Sequence, residues 1–219
     1  MGWNVTSCSD WRLYVILDRA AAGSRELTAL AAQAIRGGAD VLQLRDKAAS
    51  ARALLEEARR LLPITRQAGI PLIINDRVDV ARASKADGVH LGQEDLPLQE
   101  ARAILGDSFL IGKSTHSLDQ ARTAMREGAD YLAIGPVFAT PTKPDYPCVG
   151  AALISQVSAI ADRPLVCIGG IDQTNVSAVL EAGGRCVAVV RAVCAAPAPE
   201  AATRMLKSRL TKFVPTPAR

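Results

Sequence analysis

Arg45 and Lys47 flank Asp46 directly after the apolar run Val41-Leu42-Gln43-Leu44. In an extended segment alternate residues share a side, so the two cations aim the same way. A guanidinium and an ammonium converging like this suit a phosphate. A solvated ion pair with Asp46 is the plainer reading. Two more cations, Lys143 and Arg191, also follow apolar runs, and that recurrence favours phosphate binding. Carboxylates recur in the same manner. Asp76 follows Leu72-Ile73-Ile74-Asn75, and Asp95 follows Gly88-Val89-His90-Leu91 by a few residues. Asp76 alone could be a helix N-cap, and Asp95 alone a loop residue. At the ends of adjacent strands they are the donors a hard cation such as Mg²⁺ takes, with waters and substrate phosphates completing its shell. The chemistry implied is that of a metal-bridged polyphosphate.

Two further stretches could hold an anion. In D-Y-L-A-I-G-P-V-F-A-T-P-T-K-P-D, residues 130–145, an apolar run stops at Gly135-Pro136 and a loop follows with Thr140, Thr142 and Lys143. Proline fixes φ and removes a ladder donor, which ends the strand. Gly169-Gly170, after another apolar run, lets backbone N–H groups and a helix N-terminus approach an anion; a tight turn is the plainer reading. His90 lies within an apolar run and reads as packed in the interior. His116 precedes Ser117, which with Gln120 forms a capping box. No Cys/His spacing for a metal and no nucleophile–base arrangement is legible.

These residues need a frame that gathers them. Apolar runs at 13–17, 41–44, 71–74, 88–91, 109–112, 131–134, 164–168 and 186–190 alternate with helical patterns. Ser24 is placed to cap a helix carrying Leu27, Leu30, Ala31 and Ala34. Further helices carry Leu54, Ala58, Leu61 and Leu62; Leu153, Val157 and Ile160; and, after an Asp172 cap, Val176, Val179 and Leu180. Pro97 opens another that stops by Gly106, and a last one lies near Pro199–Leu210. Four helix-to-strand joints look alike: R-G-G-A-D-V-L, K-A-D-G-V-H-L, E-G-A-D-Y-L and A-G-G-R-C-V. Uniformly apolar strands alternating with helices indicate parallel strands buried on both faces. Eight units in this length predict an α/β fold, a (β/α)₈ TIM barrel in a single domain. A doubly wound sheet would carry G-x-G-x-x-G after its first strand, which is absent. The barrel should span 13–212, after a loose 1–12 extension and before a 213–219 tail. In a barrel every strand's C-terminal end faces one rim, where Gln43, Arg45, Lys47, Asn75, Asp76, Asp95, Ser114, Thr140, Thr142, Lys143, Gly169, Gly170 and Arg191 all fall.

A net charge of +4, without a basic patch interleaved with aromatics, argues against nucleic acid. No apolar run reaches membrane-spanning length. The first residues lack the pattern of a secretory leader, and the five cysteines form no C-x-x-C pair, so a reducing cytoplasm is expected. A homodimer is among the assemblies the chain could form.

Six motifs, in order, resemble the thiamine-phosphate synthase (pyrophosphorylase) family: Q-L-R-D-K at 43–47, N-D-R-V-D-V-A at 75–81, G-V-H-L-G-Q-E-D-L-P at 88–97, G-K-S-T-H-S at 112–117, the stretch 128–143, and C-I-G-G-I at 167–171. The resemblance covers about Leu13 to Val193. It implies a Mg²⁺-dependent transferase that joins 4-amino-5-hydroxymethyl-2-methylpyrimidine diphosphate to a thiazole phosphate, releasing pyrophosphate. By the family pattern Gln43, Arg45, Lys47 and Asn75 hold the pyrimidine diphosphate. Asp76 and Asp95 bind Mg²⁺, Ser114 lies near the reacting pyrimidine, and Lys143 contacts the diphosphate. Thr140, Thr142, Gly170 and the Val190-Arg191 backbone hold the thiazole phosphate. Arg45, Lys47, Ser114 and Lys143 thus carry the catalytic expectation. Arg191 departs from the pattern, standing where some members have a small hydroxyl residue. Two other readings share the scaffold. Related thiazole tautomerases tend to carry His where this chain has Pro136. A non-catalytic sensor of one phosphorylated ligand would need no carboxylate pair.

Overall fold

The structure is a computed structural model and describes residues 8–141 and 147–213. The strands are β1 (Leu13–Asp18), β2 (Val41–Arg45), β3 (Leu72–Asn75), β4 (Gly88–Leu91), β5 (Leu110–Thr115), β6 (Tyr131–Ile134), β7 (Leu165–Ile168) and β8 (Cys186–Val189). Each pairs in parallel with its sequence neighbours, and β8 closes on β1 with Leu13 opposite Val187. Between them lie α1 (Arg19–Ala22), α2 (Leu27–Arg36), α3 (Ala51–Ala68), α4 (Val78–Ser84), α5 (Leu98–Leu105), α6 (Leu118–Arg126), α7 (Gly150–Ser158), α8 (Val176–Glu181), α9 (Arg191–Cys194) and α10 (Pro199–Lys212). This is the (β/α)₈ barrel the alternation predicts.

Alternation within each strand builds two cores. One set of positions, including Leu13, Val15, Leu17, Leu42, Leu44, Leu72 and Ile74, packs outward on the helices. The other, including Tyr14, Ile16, Val41, Ile73, Tyr131, Ala133, Val166 and Ala188, fills the barrel. Trp11 closes the interior from the N-terminal end. It is 1% exposed and meets Tyr14 and Tyr131 edge-on, with centroids 5.9 and 5.4 Å away. The expected looseness of 1–12 is therefore corrected for its second half: Cys8–Asp10 forms a short 3-10 turn and Trp11 belongs to the core. The first seven residues lie outside the described ones.

The repeated joints have a shared job beyond ending helices. Asp40 accepts from the Leu13 N–H at 2.8 Å, Asp87 from Leu72 at 2.8 Å and Asp130 from Ile111 at 2.7 Å. The backbone N–H of each returns a bond to the same residue's carbonyl. Each aspartate thus satisfies a donor at or next to the start of a strand and locks it to the next strand, since buried backbone groups must be paired. In the fourth joint Arg185 stands instead and stacks on Phe213.

Three helix readings need correction. Ser24 caps nothing: it lies between the short α1, which Asp18 caps, and α2, which starts only after Glu26. Asp172 does not cap α8, which follows Asn175; it accepts from the Thr174 N–H and hydroxyl at 2.7 and 2.6 Å inside the loop. Ile160 falls beyond α7 and is 39% exposed. Ser117 does cap α6, accepting from Gln120 N–H at 3.2 Å, while Gln120 Oε1 accepts from His116 N–H at 2.7 Å. Among the described residues no helix is long and apolar enough to cross a membrane. The five cysteines are free, and burial pushes the Cys167 thiol up to about 12.

One glycine sets the interior packing. A Cβ on Gly112 would stand 2.1 Å from Cζ of Tyr131, so the tyrosine ring rests on bare backbone. Gly112→Ala is expected to cost about 1–3 kcal/mol of stability, the range of overpacked cores. A lowered denaturant midpoint at unchanged slope checks this; an unchanged midpoint contradicts it.

Candidate active site

A cavity of about 450 Å³ opens where the strands end. Its depth is set by interior residues, Tyr14, Ile16, Tyr131, Ala133, Val166 and Ile168, and its mouth by the loops that follow the strands. Of the residues singled out from sequence, Gln43, Arg45, Asn75, Ser114, Thr140, Gly170, Val190 and Arg191 line it. They come from six strand ends, and only barrel closure brings them together.

Lys47, Asp76 and Asp95 do not line this cavity. They form a second group beside it, joined to the first through the neighbouring Asn75. Lys47 Nζ bonds Asp76 Oδ2. Asp95 Oδ2 accepts from Gly92 N–H at 2.6 Å, and Lys113 Nζ donates to the Gly92 carbonyl at 2.7 Å. Gln93 Nε2 donates to the Ser114 carbonyl at 2.6 Å. The 92–95 turn is thus bolted to β5 at two successive residues, and with it the Asp95 carboxylate. Burial holds the Lys113 ammonium below its usual range, with Asp95 partly offsetting. Asp76 adopts a left-handed φ of 61°, which Asp tolerates better than most residues. Burial raises its carboxyl above the ordinary range, the Asp95 carboxylate beside it adds to this, and Lys47 opposes it.

The cations are therefore not paired with Asp46, whose Oδ1 accepts from the Ala48 and Ala49 N–H groups at 3.0 and 3.1 Å. Arg45 Nη1 instead bonds Asp18 Oδ2. Asp18, 3% exposed, also accepts from Ala21 N–H at 2.8 Å. It went unnoticed in the sequence, although it ends the first apolar run just as Asp76 follows the third. Arg191, also on the mouth, has no ion pair among the described residues.

Gly169 and Gly170 have positive φ and lie against the chain after β6. A Cβ on Gly170 would stand 2.5 Å from the Ala139 carbonyl oxygen. The two glycines therefore seat the loop carrying Thr140. The helix N-terminus expected next to them is absent there, because α8 begins only at Val176. His116 lines the cavity and its Nδ1 bonds the Gly135 carbonyl. His90, read as merely packed, also lines it, with Nε2 at 2.9 Å from Ser114 Oγ. Thr142 and Lys143 lie outside the described residues.

Among the described residues no three His, Cys, Asp or Glu gather as a metal site. Asp76 and Asp95 are a pair, the number a Mg²⁺ ion takes when substrate oxygens complete its shell. Their mutual repulsion, visible in the raised Asp76, is what a divalent cation would relieve.

A parallel barrel with cations and carboxylates gathered on its C-terminal rim has the architecture of a (β/α)₈ enzyme, whose site lies on that face. Known proteins narrow that class. The chain belongs to the thiamine monophosphate synthase family, matching it over residues 13–193. It is 49% identical over 195 residues to the thiamine-phosphate synthase of Roseiflexus castenholzii, covering 89% of this chain and 86% of that one. With the synthase of Chloroflexus aurantiacus it shares 48% over 200 residues, 91% of this chain and 92% of the other. The thiamine phosphate pyrophosphorylase structure from Pyrococcus furiosus superposes with a TM-score of 0.86 at 35% identity, over 94% of this chain and 98% of that one. The protein is accordingly a transferase of thiamine biosynthesis.

A carboxyl with a raised folded pKa binds its proton more tightly folded than unfolded. Its contribution to stability falls as pH rises from the ordinary Asp range to the raised value, and stays unfavourable above it. Asp76→Asn, measured in chelator, should therefore melt higher than the parent at pH 8. The gap should close as pH drops through the carboxylate range. A lower melting point at pH 8 would remove the repulsion from the account.

Proposed function

We propose that this enzyme condenses 4-amino-5-hydroxymethyl-2-methylpyrimidine diphosphate with 4-methyl-5-(2-phosphoethyl)thiazole, or its carboxylated form, giving thiamine phosphate and pyrophosphate. The observation that carries this is the pairing of a deep, mostly apolar cavity with an adjoining carboxylate–lysine group. A flat heterocycle fits the first, and a cation-bridged diphosphate fits the second.

Bound Mg²⁺, held by Asp76 and Asp95, would neutralise charge on the departing diphosphate. Arg45 and Lys47 bind the same oxygens, and Lys143 is assigned with them. Gln43 and Asn75 orient the pyrimidine over the barrel interior. Thr140, Thr142, Gly170, Val190 and Arg191 hold the thiazole phosphate; Arg191 brings a guanidinium to the mouth where the family pattern has a small hydroxyl. The carbon–oxygen bond to diphosphate breaks first, the aminopyrimidine stabilising the cation left behind. The thiazole nitrogen then supplies the electron pair for the new carbon–nitrogen bond. No protein nucleophile is needed. The residues orient both partners, stabilise the leaving charge and exclude water. Ser114 sits at the reacting pyrimidine.

Turnover is tested by mixing both substrates with Mg²⁺ or with chelator and following thiamine phosphate and pyrophosphate. Both products are expected with Mg²⁺ and neither with chelator; isomerisation of the thiazole without coupling would overturn the reading. Lys47→Ala should lower kcat about 10–100-fold by weakening diphosphate stabilisation. Its melting point should fall modestly, because Asp76, whose side chain is 19% exposed, loses the lysine that opposes its burial, so turnover is compared well below melting, where both proteins are folded. Unchanged turnover would take Lys47 out of the site.

A further inference from the structure

Five cavity-lining side chains are joined end to end by hydrogen bonds. Gln43 Nε2 lies 2.7 Å from the Tyr14 hydroxyl, which lies 3.1 Å from the Tyr131 hydroxyl. Tyr131 lies 3.1 Å from His90 Nδ1, and His90 Nε2 lies 2.9 Å from Ser114 Oγ. The five come from β2, β1, β6, β4 and β5, so the chain crosses the barrel floor. Gln43, Tyr14 and Tyr131 are all at most 2% exposed. Burial also pushes both tyrosine hydroxyls above their ordinary range, so neither ionises to break the chain.

Proton counting leaves this chain little freedom. Each hydroxyl has one proton and two neighbours, and a neutral imidazole donates from one nitrogen and accepts at the other. With Gln43 Nε2 facing Tyr14, Tyr14 must donate to Tyr131, and Tyr131 to His90 Nδ1. The imidazole proton is then on Nε2 and goes to Ser114. That leaves the Ser114 proton, Gln43 Oε1 and the second Gln43 N–H for a ligand. Turning the amide over reverses every bond: Ser114 donates to Nε2, Nδ1–H to Tyr131, Tyr131 to Tyr14, and Tyr14 to Oε1. Ser114 then offers a ligand only lone pairs. Mixed orders make a buried hydroxyl accept from both neighbours and leave its own proton without an acceptor in the chain, which is costly in the interior.

We infer that the Gln43–Tyr14–Tyr131–His90–Ser114 chain is a two-state relay of proton order, through which the ligand edge read by Gln43 decides whether Ser114 presents a donor or an acceptor to the reacting end, with Tyr14 its positioning residue. This rests on the pyrimidine reading above. A 4-aminopyrimidine shows Gln43 a donor beside an acceptor, which matches Oε1 and the spare N–H of the first order. A 4-oxopyrimidine shows the reverse and selects the second. The amino substrate thus keeps the Ser114 proton available where charge develops, and the oxo compound withdraws it. Selection against the oxo compound is exerted at both ends of the chain.

The sequence has two histidines, so 15N-histidine NMR reads the relay directly, with His116→Asn to assign the signals. The probes are 4-amino-5-hydroxymethyl-2-methylpyrimidine and its 4-oxo counterpart, which lack a leaving group and do not react. His90 should carry its proton on Nε2 with the amino compound and on Nδ1 with the oxo compound. In Tyr14→Phe the ligand should no longer decide the tautomer. The amino-over-oxo ratio of kcat/KM for the diphosphates should fall about tenfold, a modest share of what a hydrogen-bonding site can discriminate. The tautomer comparison in the unaltered protein needs no variant to fold. Both compounds binding with the same tautomer, or Tyr14→Phe still switching, overturns the relay. If neither compound moves the spectrum, the pyrimidine reading falls and the relay falls with it.

Discussion

Two like charges held side by side are the constraint around which the rim is arranged. Asp76 and Asp95 end adjacent turns, and burial and mutual repulsion both raise Asp76. Left alone, such a pair would part. Here Asp76 is pinned through its left-handed backbone and its N–H bond to the His90 carbonyl at 2.8 Å. Asp95 is pinned through Gly92, which Lys113 ties to β5. Strain and repulsion persist where surrounding structure over-determines them, and such places are commonly functional. On the proposed reading, a cation and a polyanion arriving together would convert the arrangement from unfavourable to favourable. The same logic explains why Lys47 faces Asp76 while remaining largely open to solvent.

Beneath the rim the barrel meets a different demand. Its interior holds deeply buried polar side chains, and most such groups find a partner. Tyr14 and Tyr131 do so across the floor, with Trp11 closing the space below and Gly112 making room for the Tyr131 ring. The outer core and the three joint aspartates hold the strands in register, so that these contacts form. Stability is concentrated at the N-terminal end and chemistry at the other, the usual division in barrels.

Much of this was legible in the chain. Strands β4 and β6 fall where apolar runs end at Gly92 and Gly135, because those runs are buried on both faces. Rim residues such as Arg45, Asn75 and Arg191 were legible because parallel closure sends every strand end to one side. What stayed hidden depends on partners remote in sequence. Tyr14 and Tyr131 bond across 117 positions, and no local pattern announces that. Asp18 carries no local signal, because its role comes from Arg45, 27 positions away. The joints look alike in sequence, but the bonding of their aspartates is not legible there because the partners sit on the preceding strand. Ser24 and Asp172 mislead for a local reason: both are good cap types, but α2 starts only after Glu26 and the Asp172 carboxylate is taken up by Thr174 inside its loop.

We propose that the Asp76–Asp95 pair holds a diphosphate only through a divalent cation, with Lys47 reaching the same oxygens directly. Calorimetric titration of pyrophosphate into the enzyme, with Mg²⁺ and with chelator, tests it most directly. The account predicts measurable binding with Mg²⁺, and its loss both in chelator and in Asp95→Asn. Equal affinity with and without Mg²⁺ would contradict it.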